Sequence, residues 1–361
     1  MKVLAVDIGA TKTSIAPINV ENNYHVYRIF TYHTINIADM YDYIQMHAGG
    51  NDGISVGIPG VPYNGRIKLT NLPGQIFDSA DLNQQTGIDV LALNDVESAA
   101  HYMPLLNRSG VRTVYGNEEP PQQETKILLL PGTGLGGARA LWTDDGYFIE
   151  RAEPGHFPYI PENWRERGWL EYLEKKFERK LVMEDLCARY GPIYLDLLYE
   201  RVMRRPETME EMAESWNIGQ NIDVFKKWCS LLAHDTQIFA FGGDMPFGGV
   251  YLGANVTKNQ NVFMEYGSKV FVDEFQSHPK MSESLRRIPI YVITDPYFSL
   301  KGNAAAYMKH FGDKEEQRNN LPELLAEVKE FLQQPCQRPT PDEVLQSARE
   351  RWREYIEQHT T

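Results

Sequence analysis

Apolar runs, broken at short intervals by glycine, proline and threonine, fill most of the chain up to residue 312. VLAVDIGATKTSIAPINV (3–20) reads as a strand, a tight Gly/Thr turn and a second strand rich in β-branched residues. ILLLPGTGLGGARAL (127–141) repeats that design. GISVGIPGVP (53–62) is a strand closed by Gly and Pro, and IKLTNLPG (67–74) an edge strand and turn. VLAL (90–93) is a buried strand, GGVYLGANV (248–256) a third strand-to-glycine turn and IPIYVIT (288–294) a further strand. DSADLNQQTG (78–87) carries a Ser/Asp start signal and predicts a short helix. A second helix follows residue 95 and runs through Met103, residues 164–240 are mainly helical by pattern, and NAAAYMKHF (303–311) is a helix. GNEEPPQQETK (116–126) is a polar, Pro-rich loop. Two strand–turn–strand units, with helices interleaved among the strands, predict a duplicated α/β architecture with a mixed sheet in each half.

The pattern changes after Gly312. Leu321, Leu324, Leu325, Val328, Phe331 and Leu332 keep the spacing of an amphipathic helix. TPDEVLQSARERWREYIEQ (340–358) opens with Thr340 as N-cap, Pro341 at the first helical position and Glu343 closing a capping box. Val344, Leu345, Ala348, Trp352 and Tyr355 form its apolar stripe. Residues 313–361 are therefore expected to be a helical extension that docks on this chain or on another.

Composition narrows the function classes. A length of 361 residues, 42% of them hydrophobic, supports two or three domains. The balance of 36 basic and 49 acidic residues, a net charge of −13, argues against a nucleic-acid or anionic-membrane partner. An anion would have to be held by a local device such as backbone N–H groups. The three cysteines, Cys187, Cys229 and Cys336, are far apart and form no CxxC, which points to a reducing cytoplasm and away from structural zinc. No apolar run reaches the roughly 18 residues of a membrane helix. Asp7 interrupts the opening MKVLAVDIGA, against a signal peptide.

Four stretches carry candidate chemistry. DIGATKTS places Asp7 at a strand end, followed by small residues that let the backbone turn close to a phosphate. Asp7 could hold Mg²⁺ directly or through water; a plain hairpin turn is the alternative. PGTGLGGA (131–138) offers Gly132, Thr133, Gly134, Gly136 and Gly137 to a polyphosphate, and it is neither a P-loop nor a dinucleotide fingerprint. In VLALNDVESAA (90–100), Asn94 and Asp95 sit at the carboxyl end of a core strand, where ligands bind in open α/β sheets. Asp95 could take a proton from a substrate hydroxyl or merely cap the following helix. AEPGHFPYIP (152–161) presents Glu153 and His156, which suit vicinal hydroxyls; a backbone-bonded loop histidine is the other reading.

Taken in order, these stretches resemble the bacterial glucokinase family, within the actin-like ATPase/hexokinase group. VDIGATKTSIA, TN at 70–71, LNDVESAA, LLPGTGLGGA, EPGHFPYIP, MEDLCARYGP, GGVYLGANV and IPIYVITDPYFSLKGNAAAYM carry the resemblance, between residues 3 and 312. It implies a two-domain actin-like ATPase (ribonuclease H-like) fold, with 1–104 and 295–312 as the small domain and 105–294 as the large one. It implies transfer from Mg-ATP to glucose, with Asp95 as the catalytic base. Asn71, Asn94, Glu153, His156 and Glu184 would be sugar ligands, beside Asp95. Asp7, Gly9, Ala10, Thr11 and Lys12 would form the first phosphate loop, and Gly132, Thr133, Gly134 and Gly136 the second. Gly253 and Asn255 would lie at the adenosine subsite. The implied partners are a sugar and a second copy of the chain, in the cytoplasm. Related readings are a kinase for another hexose or amino sugar, and a sugar-sensing regulator with weak transfer. The chain departs from the family where Ala10 stands for Gly, where Leu72-Pro73-Gly74 follow the Thr-Asn pair in place of an aromatic, where Ala188-Arg189 stand for Ser-Gly, and where Ala254-Asn255 stand for two glycines. A side chain at 255 would either crowd the nucleoside or bond to it, and crowding is expected to weaken ATP binding.

Overall fold

Both strand–Gly turn–strand units are antiparallel hairpins, and each sits inside its own sheet. A computed structural model describes residues 1–9, 11–70, 72–161, 163–188, 191 and 222–312. It divides the chain into two units, Met1–Lys309 and His310–Thr361. The expected tail helices at 313–361 lie outside the described residues, as do Ala10 and Asn71.

The first hundred residues supply β1 (Lys2–Ile8), β2 (Lys12–Asn19), β3 (His25–Val26), β4 (Phe30–His33), α1 (Ile37–Ala48) and β5 (Gly53–Ile58). β6 (Gly60–Tyr63), β7 (Arg66–Leu69), β8 (Ile76–Asp78), α2 (Ser79–Thr86), β9 (Val90–Asn94) and α3 (Asp95–Ala100) follow. The first sheet runs β3-β2-β1-β5-β9, with β4 also paired to β2. β1, β5 and β9 are parallel. The signals read for α2 hold: Asp78 accepts the Ala80 N–H as N-cap, and Gly87 closes the helix at φ +69°.

Two sequence expectations change here. IKL is not an edge but the middle of a small sheet, β6-β7-β8. The edge role falls on β6, which carries Pro62, a residue that cannot donate to a ladder. GISVGIPGVP is likewise two strands, because the chain turns from one sheet to the next at Gly60, whose φ of +151° excludes a side chain.

The rest of the body contains β10 (Val111–Tyr115), β11 (Lys126–Pro131), β12 (Leu135–Thr143), β13 (Gly146–Ala152), α4 (Trp164–Phe177) and α5 (Met183–Cys187). Beyond them come α6 (Ile222–Phe241), β14 (Gly249–Leu252), α7 (Ser268–Phe275), β15 (Ile290–Ile293) and α8 (Phe298–Tyr307). The second sheet runs β10-β15-β14-β11-β12-β13. Each sheet thus holds a hairpin extended on the same side by two parallel strands: β2-β1-β5-β9 and β12-β11-β14-β15. This is the duplication expected from the sequence.

β1, β5, β11, β14 and β15 are buried on both faces along most of their length, which is why they read as continuous apolar runs. Leu4, Val6, Ile54 and Val56 meet Met40 and Ile44 of α1. Ile127, Leu129, Val250 and Val292 meet Phe225, Trp228 and Leu232 of α6 and Phe271 of α7. A third cluster packs Leu128, Tyr251 and Ile293 of the second sheet against Ala99 and Ala100 of α3 and Phe298 and Ala305 of α8. α3 is shorter than the pattern predicted, ending at Ala100 before a 3₁₀ turn at Met103–Leu105 that contains Pro104. α8 begins five residues before the expected start at 303. Glu166, 1% exposed, receives Lys227 Nζ at 2.6 Å, the Tyr159 hydroxyl at 3.0 Å and Asn163 Nδ2 at 3.1 Å, fixing the segment after β13 to α6.

Candidate active site

Three parallel strands deliver the first cluster. Asp7 near the end of β1 pairs with Gly57 of β5, and Asn94 at the end of β9 pairs with Ile58. Asp95 opens α3 one residue later. The carboxyl ends of β1 and β9 are two strand spacings apart, about 10 Å. Gly57, on the strand between them, carries no side chain.

The helix cap is Asn94, not Asp95. Asn94 Oδ1 accepts the N–H groups of Val96 at 3.0 Å and Glu97 at 3.1 Å, and its Nδ2 donates to the Gly60 carbonyl at 3.1 Å. Asn94 is 6% exposed, so its amide serves mainly to join β9, α3 and the start of β6. The Asp95 carboxylate is half-buried, and burial pushes its pKa up to about 6. The N–H groups of Val96 and of Asp95 itself oppose that rise, and the charge of Glu153 adds to it. Burial likewise lifts Asp7 to about 6, helped by the charge of Asp95 and opposed by Lys12. Burial is thus the main cause at both carboxylates, and the Asp95 charge adds to the rise at Asp7.

The glycine turns stand around this pair. In the first, Gly9 N–H donates to the Lys12 carbonyl at 2.9 Å, and Thr11 and Lys12 are exposed. In the second, Gly132 N–H donates to the Gly134 carbonyl at 2.8 Å, and Thr133 is exposed. A Cβ on Gly136 would overlap Val96, so the first turn of α3 rests directly on β12 and brings Asp95 beside the second turn. Glu184 of α5 accepts the Leu135 N–H on Oε2 at 3.1 Å, tying the second turn to α5. Glu153 and His156 flank the turn at Pro154–His156, with His156 Nε2 3.9 Å from Glu153 Oε2, both at least half exposed. In the third turn, Gly253 N–H donates to the Leu129 carbonyl at 3.0 Å and Asn255 Nδ2 to the Gly132 carbonyl at 3.3 Å.

Sequence reasoning missed the support behind Asp95. Ser98 Oγ donates to Asn303 Oδ1 at 2.6 Å, and both residues are buried. Gly302 meets the Ala99 backbone so closely that a Cβ would stand 2.5 Å from Ala99 Cα. α8 thereby fixes α3, and with it Asp95. Gly57 was visible in the sequence as a glycine inside a strand, a mark of close backbone approach, whereas Gly302 lies just before the helix read from 303.

Residues 4–310 match the glucokinase family. The chain belongs to that family. The glucokinase of Zymomonas mobilis is 26% identical over 334 residues, covering 87% of this chain and all of the relative. Among solved structures, glucokinase from Balamuthia mandrillaris in complex with glucose superposes with a TM-score of 0.70 at 19% identity, covering 84% of this chain and 93% of the other. A ROK family glucokinase from Streptomyces griseus in complex with glucose and AMPPNP gives 0.59 at 16% identity, covering 84% and 98%. These likenesses show the fold expected from the sequence: an α/β, actin-like ATPase fold with a mixed sheet in each of two domains. The glucokinase match ends two residues before Gly312, where the sequence pattern changes.

Proposed function

We propose that this glucokinase-family protein transfers the γ-phosphoryl group of ATP to the 6-hydroxyl of D-glucose, with Asp95 as general base. The observation that carries the proposal is the division of labour at the end of β9. Asn94 caps α3, which leaves the neighbouring carboxylate available, half-buried and ionised at neutral pH. Asp95 accepts the hydroxyl proton as the sugar oxygen attacks the γ-phosphorus, and the β–γ bridging oxygen leaves with ADP. Glu153, His156, Glu184, Asn71 and the second N–H of the Asn94 amide would hold the other sugar hydroxyls. Lys12 and the N–H groups and hydroxyls of the first two Gly/Thr turns would hold the phosphates, as local anion devices in an acidic chain.

A divalent cation fits this donor set. Among the described residues, no three His, Cys, Asp or Glu side chains gather into a metal cage. A lone partly buried carboxylate at Asp7 suits Mg²⁺, which is ordinarily held by one or two carboxylates together with substrate phosphates. When bound, the ion supplies charge neutralisation on the transferring phosphoryl group.

In this proposal the reacting groups meet between two domains, 1–104 with 295–312 and 105–294. This division separates the two six-stranded sheets and assigns α8, which packs on β1 and β5, to the first. We place the protein in the cytoplasm, with which Cys187 and Cys229, both free and buried, accord, and take the homodimer from the family resemblance alone. No described helix is long and apolar enough to cross a membrane. A coupled ADP-release assay over glucose, mannose, fructose, N-acetylglucosamine and N-acetylmannosamine tests the substrate. Glucose should give the highest kcat/KM. Preference for an amino sugar would replace the substrate, and binding without transfer would favour the sensing regulator.

A further inference from the structure

The third glycine turn contains a strained residue and an added hydrogen bond at adjacent positions. Ala254 has φ +50° and ψ −114°, a conformation open to glycine and rare for any L-residue. The side chain that follows does not lie free beside it. Asn255 Nδ2 crosses to the second turn and donates to the Gly132 carbonyl at 3.3 Å. The base of the bridge is itself fixed, because the Asn255 carbonyl accepts both the backbone N–H of Asn259 at 3.1 Å and its Nδ2 at 2.9 Å. A Cβ on Gly132 would lie 3.9 Å from the Ala254 Cβ, so the two turns are in contact here.

A peptide group is planar and trans, so its C=O and N–H point to opposite sides. Whatever holds the Gly132 carbonyl therefore also sets the direction of the Thr133 N–H. That peptide group turns about ψ of Gly132 and φ of Thr133, and Gly132, with no Cβ, leaves the first of these torsions little restricted. The Asn255 amide removes this freedom. Thr133 is exposed, and its N–H lies opposite the bonded carbonyl, in the loop that would take the polyphosphate.

We infer that Asn255 is a positioning residue of the nucleotide subsite: its amide latches the third glycine turn to the second and aims the Thr133 N–H at a phosphate oxygen. The inference rests on the second turn being a phosphate loop, as in the proposed function. It replaces the expectation that a side chain at 255 crowds the nucleoside. It also accounts for a polar residue at a position where a backbone turn alone would require none.

The test is ADP binding by calorimetry, with glucose binding as control, on the full-length wild-type protein and on Asn255→Gly, Asn255→Leu and Asn255→Gln. Asn255→Leu keeps the size and loses the donor; Asn255→Gln keeps the donor on a longer arm. Loss of one hydrogen bond that orders a loop should weaken ADP binding roughly three- to tenfold in the Gly and Leu variants. The Gln variant should recover part of that loss, and glucose Kd should stay within about twofold throughout. The KM for ATP should rise in parallel with little change in kcat. ADP binding that is unchanged or tighter in Asn255→Gly overturns the latch. So does an equal loss of glucose affinity, which would mark a general structural role, and so does a wild-type protein that binds no ADP. A wild-type protein that binds ADP but transfers nothing to glucose would sink the proposed reaction and leave the latch standing.

Discussion

Asp95 and Asn94 show how adjacent residues divide two roles that the sequence leaves joined. An Asn-Asp pair before a helix is compatible with either member as cap. The amide takes the cap because Asn94 is the last strand residue and its side chain also reaches the Gly60 carbonyl. Replacing Asp95 by Asn removes the proposed proton acceptor and leaves the helix capped. The expected result is a kcat lower by roughly 10²–10⁴-fold with the fold and sugar binding intact, read by steady-state kinetics and glucose titration. Because burial holds Asp95 near 6, kcat/KM of the wild type should fall as pH drops through about 6, where the base becomes protonated. A variant with near-normal turnover would return Asp95 to the surface chemistry of its helix. Asp235 poses a different question. Its two carboxyl oxygens are buried in α6 with no hydrogen-bond partner among the described residues, and burial pushes its pKa up to about 8. The unfolded chain ionises at the ordinary carboxylate value, so this group's contribution to stability is full below about pH 4 and is lost as pH rises to about 8. Asp235→Asn should flatten that slope. The variant should be more stable than wild type at pH 8 by a few kcal/mol at most, since a tenfold change in a proton affinity is worth about 1.4 kcal/mol. Urea unfolding at pH 5 and pH 8 measures it; equal slopes for the two proteins would refute the assignment.

At the scale of elements, the site depends on how closely α3 and α8 approach. Gly302 admits the Ala99 backbone, and the Ser98–Asn303 bond fixes the rotation of one helix on the other. Gly302→Ala has no room for its methyl group, so α3 or α8 must shift. Overpacking of this kind typically costs about 1–3 kcal/mol. The variant should lose thermal stability and, because Asp95 rides on α3, lose kcat by a larger factor than it gains in KM for glucose. A drop in Tm with unchanged kcat would mean that Asp95 is held by β9 alone. The helix start and stop at Asp78 and Gly87 were legible because capping is local. The divided strand at Gly60 was not, because a break between two sheets depends on which partner each half finds.

At the scale of the molecule, two sheets with the same order of a hairpin and two parallel strands each present a glycine turn to the site, and the third turn comes from β14. Under the proposed function the duplication also supplies the two phosphate loops. The glucokinase match stops at residue 310, and the amphipathic stripes read at 321–355 lie beyond it. A stripe of that size needs a cover, on this chain or a second copy. Truncation after Gly312 should lower the melting temperature or change the oligomeric state read by sedimentation, while glucose binding persists because the matched residues are all retained. A truncated protein with the melting temperature and oligomeric state of the full chain would show the tail to be a tethered accessory.

The sequence alone determined the apolar core strands (though not β3, β4, β8, β10 and β13), the two hairpins, the order of the glycine turns and the residues able to carry proton and phosphate chemistry. These are set by local periodicity, turn preference and side-chain type, all of which are present in short windows. Tertiary structure decided which of Asn94 and Asp95 caps the helix, that the Asn255 amide meets the Gly132 carbonyl 123 residues away, and that Ser98 is held by Asn303 across 205 residues. It also decided that Lys126 is buried beside the Tyr251 ring and that the Asp235 carboxyl finds no hydrogen-bond partner among the described residues. No short window contains those facts. A pKa, a hydrogen-bond partner and the space beside a glycine depend on whatever the fold brings near, and the partners of Asn255 and Ser98 lie 123 and 205 residues away.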